Sequence, residues 1–61
     1  MRIVGVVGAE DFQPGQRILV RPDNVQTVAA PTERDDVGGV TIHTTEMEML
    51  ANLPCPVKVV E

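Results

Sequence analysis

The single cysteine and single histidine are the features that most constrain how this 61-residue chain can fold. A domain of this length buries only about 60% of the surface that its unfolded chain exposes, so its stability is expected to be small. Disulfides, a structural metal or oligomerisation commonly reinforce such domains. Cys55 has no second cysteine to pair with, and Cys55 and His43 alone cannot form the usual structural zinc site. We therefore expect a homo-oligomer that uses neither a metal nor a cofactor.

The apolar residues predict a β-rich fold whose core is built from small side chains. Phe12 is the only aromatic residue of the chain. Valine and isoleucine favour strands because their branched side chains pack well on a pleated surface. Without large anchors, the apolar strand faces are expected to be buried against a second copy, most simply in a two-fold dimer. The predicted interface residues are Ile3, Val4, Val6, Cys55, Val57 and Val59.

Alternation of apolar and polar residues, together with turn signals, divides the chain into strands. The predicted strands cover residues 3–7, 16–21, 25–30, 40–44 and 57–60. Arg21-Pro22-Asp23-Asn24 is typical of a tight turn, and a bulge is expected between Val25 and Val28. Pro31 is expected to end the third strand, and Phe12 to fold back into the core from its loop. The last strand is expected to pair with an existing sheet edge.

A short helix is predicted near residues 46–52. Thr45-Glu46-Met47-Glu48 has the form of a capping box, in which Thr and Glu satisfy each other's backbone amides. Met47, Leu50 and Ala51 share one face at helical spacing. With this helix, the whole chain is predicted to be one small, mainly β domain: an antiparallel meander or partly open barrel of about five strands.

Charge and hydropathy exclude some classes of partner. The formal net charge is −4, whereas nucleic-acid binding depends on basic patches that replace counterions around phosphates. No apolar run approaches the ~20 residues that cross a bilayer, and residues 3–7 are interpreted as a strand rather than a signal peptide. We expect a cytoplasmic protein with no nucleic-acid or membrane partner. A phage or mobile-element origin would suit a compact acidic chain.

No set of catalytic residues can be assembled from one copy of the sequence. His43 lies among threonines on the polar face of its strand, and the chain contains no serine and no second histidine. Residues 3–8 lack the glycine spacing of a dinucleotide-binding turn, and Asp35-Asp36 with Glu33 lacks the ligand spacing of an EF-hand. We therefore expect a protein that is not an enzyme: an interaction protein, regulatory or accessory, that binds another protein.

Two alternatives remain open at the sequence level. The first is an oligomer that binds a small molecule or anion between subunits, with Arg17, Arg21 and His43 as ligand-binding residues. Arg17 and Arg21 lie on one face of a strand, where both could bind the same anion. The second is an enzyme whose composite site, including His43, forms only where subunits meet.

Residues 18–28, which read ILVRPDNVQTV, are followed by Pro31 and then by Val40-Thr41-Ile42. This pattern resembles the flagellar FlbD family of very short β-rich proteins. It implies a small β meander with a regulatory or accessory role. A second resemblance, to small SH3-type barrels, is carried by residues 12–20 and concerns architecture alone, because the aromatic peptide groove of those domains needs residues that this chain lacks.

Overall fold

Six strands form one antiparallel sheet in the computed structural model, which describes residues 2–61. The strands are β1 (Ile3–Gly8), β2 (Arg17–Arg21), β3 (Asn24–Arg34), β4 (Gly39–Thr44), β5 (Glu48–Asn52) and β6 (Pro56–Val60). Their order across the sheet is β1-β6-β2-β3-β4-β5, so β1 and β5 form its two edges. The prediction of a mainly antiparallel β fold is confirmed.

The only helical element between residues 2 and 61 is a 3-10 turn, Ala9–Asp11. Within the same residues, no helix has the length and apolar character needed to cross a membrane.

The long strand β3 joins the two halves of the sheet. Its first half pairs with β2 and its second half with β4, and the register with β4 shifts twice, between Val28 and Ala30 and between Ala30 and Glu33. Such irregularities bend a strand and increase its twist. The prediction that Pro31 ends this strand was wrong, because β3 continues to Arg34. Pro31 lies inside the second irregular stretch, where its missing N–H interrupts no regular ladder.

The helix predicted near residues 46–52 is absent, because β5 occupies Glu48–Asn52. The preceding turn is closed by Thr44, not by the expected cap Thr45. The Thr44 N–H donates to the Met47 carbonyl at 2.9 Å, and the Met47 N–H donates to Thr44 Oγ1 at 3.1 Å. This turn makes β4 and β5 a hairpin, so the helical interpretation was wrong.

Cross-strand pairing in this hairpin explains the apolar pattern that suggested a helix. Ile42 pairs with Met49, and Val40 pairs with Ala51. Two residues, Thr45 and Glu46, separate Thr44 from Met47 in this hairpin. The core-facing residues therefore have even numbers on β4 and odd numbers on β5, although all of them lie on the same face of the sheet. The free energy gained when β5 pairs with β4 outweighs the helix preference of the short capping sequence, since isolated helices of this length are only marginally stable.

The last strand is placed differently from the prediction. β6 lies between β1 and β2 and pairs antiparallel with both, whereas the sequence suggested addition at an existing edge. It consequently joins the first strand of the chain to the rest of the sheet. Val59 of β6 is buried in the core as a result of this central position.

Phe12 occupies the centre of the core, as predicted. Its side chain is 2% exposed and clusters with the fully buried Ala9 and with Ile18 and Val28. The turn Ala9–Asp11 packs against β3 and β4, which carries Phe12 across the sheet after β1 ends. This segment closes one side of the core with the largest side chain in the protein.

We predict that Phe12→Ala lowers the free energy of unfolding by about 3–5 kcal/mol, because it removes a fully buried aromatic side chain and leaves a cavity. Urea denaturation followed by circular dichroism measures the change. Val37→Ala is the control, since Val37 is 88% exposed and its truncation should alter stability by less than ~0.5 kcal/mol. Equal effects of the two substitutions would contradict this account of the core.

Candidate functional site

An apolar groove of about 690 Å³ opens between β2 and β6 on one side and β4 and β5 on the other. Ile18 and Ile42, both buried in the core, line it together with half-buried Met49, Ala51 and Val57. The groove is therefore a depression of the surface that reaches the edge of the core. Cys55, the only thiol of the chain, also lines it.

The charged residues of the groove are both cations. Arg21 and Lys58 line it, and no aspartate or glutamate does, although the chain has nine acidic residues against five basic ones. Among residues 2–61, neither cation takes part in an ion pair. Lys58 pairs with Val6 and Leu19, so its side chain points away from the face that carries the core-facing Val57 and Val59.

Arg17 lies in a different cleft from Arg21. The Arg17 Nη1 group donates a hydrogen bond to the Glu61 main-chain oxygen at 2.7 Å. Together with Arg2, Val25 and Glu61, Arg17 lines a cleft of about 460 Å³. The Arg2 guanidinium is paired with the Glu61 carboxylate at 3.6 Å. The structure therefore separates the two arginines that the sequence suggested as a pair.

His43 contacts carboxylates of the two neighbouring strands, β3 and β5. Its Nε2 atom is hydrogen-bonded to Glu33 Oε2 at 2.7 Å, and its Nδ1 atom lies 3.9 Å from Glu48 Oε1. The short contact needs a proton on Nε2, because a carboxylate only accepts. His43 lines neither the groove nor the arginine cleft, so it is not brought together with Cys55, Arg17 or Arg21.

No metal centre is built by the described part of the chain. Across residues 2–61, no group of three or more His, Cys, Asp and Glu side chains is placed to hold a metal ion.

The buried polar residues serve the fold. Thr44 Oγ1 donates to Gln26 Oε1 at 3.3 Å, and the Gln26 amide donates to Asn24 and Glu46. These contacts satisfy Gln26 within the structure, as buried polar groups require. They tie the loop between β4 and β5 to the start of β3.

The predicted interface residues divide into two sets. Ile3, Val4 and Val6 of β1 are exposed, at 49%, 59% and 62% respectively. The others are engaged inside the chain: Val59 is buried, while Cys55 and Val57 pack against the core. Only the β1 residues therefore offer free apolar surface.

Sequence reasoning missed Lys58 and the groove itself. Arg21 was a candidate because of its charge, but Lys58 was considered only as a neighbour of Cys55. In the structure Lys58 pairs with Leu19 of β2, which follows from the central place of β6. The alternation of β6 fits an edge strand equally well, so no local signal could have located the groove.

Comparisons with known proteins add no further assignment: no family model matches the chain, and neither a curated protein nor a solved structure matches it. The resemblance to the FlbD family therefore stays a prediction.

We predict that Ala51→Leu leaves stability unchanged or raises the free energy of unfolding by about 1 kcal/mol, because the larger side chain extends into the groove. The same substitution at Ala9, which is fully buried and does not line the groove, should lower it by about 1–3 kcal/mol through overpacking. Urea denaturation of both variants makes the comparison. Destabilisation by Ala51→Leu as large as that by Ala9→Leu would show that the groove holds no free space.

Proposed function

We propose that the protein is a non-catalytic interaction protein, regulatory or accessory in role, and that it acts as a homo-oligomer joined through β1. The observation that carries the proposal is the free outer edge of β1, whose single neighbour in the described sheet is β6. Such an edge presents unpaired N–H and C=O groups that can pair with a strand from another chain.

The hydrogen-bond pattern identifies which amides of β1 are free. The Ala9 N–H, directly after β1, donates to the Cys55 carbonyl at 2.9 Å. Val7 pairs with Val57 and Val6 with Lys58 in the same antiparallel register. Because amides alternate in direction along a strand, Val7 N–H points toward β6 and Val6 N–H points outward.

The edge formed by β1 lacks most of the features that protect edges in monomeric proteins. Between Ile3 and Gly8 there is no charged residue and no proline. A register irregularity between Ile3 and Gly5 is its one protective feature, since charges, prolines and bulges are the usual protections. A Cβ added at Gly5 would meet no atom within 4 Å, so a second strand has room to approach.

A stable contact must extend beyond one strand edge. Specific interfaces bury about 800 Å² per partner, which is about a fifth of the 4073 Å² accessible surface of this chain. The sheet offers such an extension, because Val6, Lys58, Leu19 and Val25 are successive neighbours across β1, β6, β2 and β3. Pairing of β1 with the β1 strand of a second copy gives a closed two-fold dimer.

The proposal also places the protein in the cytoplasm, where an unpaired thiol such as Cys55 stays reduced.

One observation favours a second candidate, an oligomer that binds anions between subunits. The cleft of Arg2 and Arg17 lies beside β1, since Arg2 directly precedes that strand and its carbonyl accepts from the Glu61 N–H at 2.9 Å. A β1 dimer would bring two such clefts close to the interface. Calorimetric titration with inorganic phosphate and with acetate tests this candidate, and the absence of heat with both would remove it.

We predict that light scattering at micromolar concentration gives the wild-type chain twice its 6.6 kDa mass, and that Val6→Lys reduces the mass to that of one chain. A lysine on an apolar self-pairing edge places like charges together in the dimer. Val6 is 62% exposed, so the variant should keep its β-sheet circular dichroism spectrum.

Val37→Lys is the matched control, because it introduces the same charge at a valine that is 88% exposed and lies between β3 and β4. It should keep the dimer mass. A wild-type chain of 6.6 kDa, or equal loss of mass in both variants, would refute the proposed β1 contact.

A further inference from the structure

The side chains that flank β1 carry opposite charges at its two ends. Arg2 directly precedes the strand, and Glu10 and Asp11 follow it in the turn Ala9–Asp11. The strand itself contains no charged residue. An apolar edge strand therefore has a cation at its start and two carboxylates just past its end.

Antiparallel pairing of β1 with a second copy brings these opposite charges together. In such a pair, the start of each strand lies beside the end of the other. Arg2 and Glu10 are equally distant from Val6 along the chain, so a dimer with Val6 opposite Val6 places each Arg2 level with Glu10 of the other copy. A two-fold axis repeats the contact, because residue i meets j and j meets i.

The Glu10 carboxylate is held at this end of β1. A Cβ added at Gly8 would collide with that carboxylate, so it lies directly against the last residue of the strand. Asp11 is exposed to solvent. Within residues 2–61, neither Glu10 nor Asp11 takes part in an ion pair, so both carboxylates lack a cationic partner in the described part of the chain.

Arg2 can bind such a carboxylate without losing its contact inside the chain. Its guanidinium lies 3.6 Å from the Glu61 carboxylate, in a pair whose side chains are 81% and 52% exposed. Exposed pairs of this kind are weak, and an arginine has five N–H donors. The same guanidinium can therefore also donate to a carboxylate of a second copy.

The parallel arrangement of two β1 strands is opposed by the same charges. It would place Arg2 beside Arg2, and Glu10 and Asp11 beside Glu10 and Asp11. Like charges that face each other across an interface suppress that arrangement. The charges at the ends of β1 therefore discriminate between the two directions in which an apolar edge can pair with itself.

From these observations we infer that Arg2 of each copy binds Glu10 and Asp11 of the other, and that these reciprocal contacts set the antiparallel orientation of the β1 dimer. The inference rests on the proposed β1 contact and identifies the residues that determine its specificity. Strand pairing along β1 supplies the contact itself, so the dimer and its charge pairing can be tested separately.

Charge reversal tests the inference through the dissociation constant of the dimer, measured by light scattering over a dilution series of the full chain. Arg2→Glu should raise this constant at least about five-fold, because it places a carboxylate beside Glu10 and Asp11 of the other copy. Glu10→Lys combined with Asp11→Lys should raise it by a similar factor, because each Arg2 then faces two lysines. Circular dichroism checks that each variant keeps its β-sheet spectrum.

The triple variant, with all three reversals in one chain, gives the decisive comparison. It restores opposite charges in an antiparallel dimer, so its dissociation constant should return to within about two-fold of the wild-type value. A triple variant that dimerises as weakly as Arg2→Glu would overturn the inference. A parallel dimer predicts that weakness, because like charges would still meet.

Two control variants separate the proposed contact from other effects of charge. Arg34→Glu changes the net charge as Arg2→Glu does, at an exposed residue that ends β3. Glu61→Gln removes the partner of Arg2 inside the chain. Each should change the dissociation constant less than about two-fold, and an effect as large as that of Arg2→Glu in either control would overturn the inference.

The wild-type measurement distinguishes failure of this inference from failure of the proposed function. A wild-type dimer whose dissociation constant is unaffected by Arg2→Glu and by the Glu10 and Asp11 reversals would refute the inference alone. A wild-type chain that stays at 6.6 kDa throughout the dilution series would refute the homo-oligomer, and the inference with it.

Discussion

The burial of Phe12 is the interaction on which the rest of this structure depends. It is the only aromatic side chain, and the turn Ala9–Asp11 brings it over β3 and β4. A sheet of small aliphatic residues gains little from any one other side chain, and Phe12 is the largest of the fully buried side chains. The region around Ile42 and Met49, which has no such residue, remains an open groove.

The two edge strands of the sheet, β1 and β5, are available for contacts with other chains. A small barrel removes its edges by closing, whereas this sheet begins at β1 and ends at β5 without pairing them. The register shifts along β3 are of the kind that bends a strand, but the sheet remains open. The proposed contact follows from that geometry, because β1 offers an apolar edge suited to a second copy.

Much of the fold could be predicted because it depends on local signals. Alternation located β2 and β4, and apolar residues bounded by turn signals located β1, β3 and β6. The Pro22-Asp23 turn between β2 and β3 was identified from residues that favour tight turns. The segment from Thr45 to Ala51 could not be assigned correctly, since Met47 and Ala51 fit a helical face and a strand face equally well. Long-range pairing with β4 decided between them.

The candidate site was less accessible to sequence reasoning than the fold. Arg21 was proposed as a ligand-binding residue and lies on the groove, but its expected partners Arg17 and His43 lie elsewhere. Arg17 is placed by β6 lying between β1 and β2, and His43 is placed by β4 lying between β3 and β5. That order is set by contacts between the two ends of the chain, which no local pattern records.

The central claim is that β1 is paired in solution by a second copy of itself. Amide hydrogen exchange followed by nuclear magnetic resonance tests it most directly, because Val6 N–H points away from β6 while Val7 N–H points toward it. The account predicts that both amides exchange slowly at concentrations where the dimer forms. Fast exchange at Val6 beside slow exchange at Val7 would show that the edge is free, and would contradict the account.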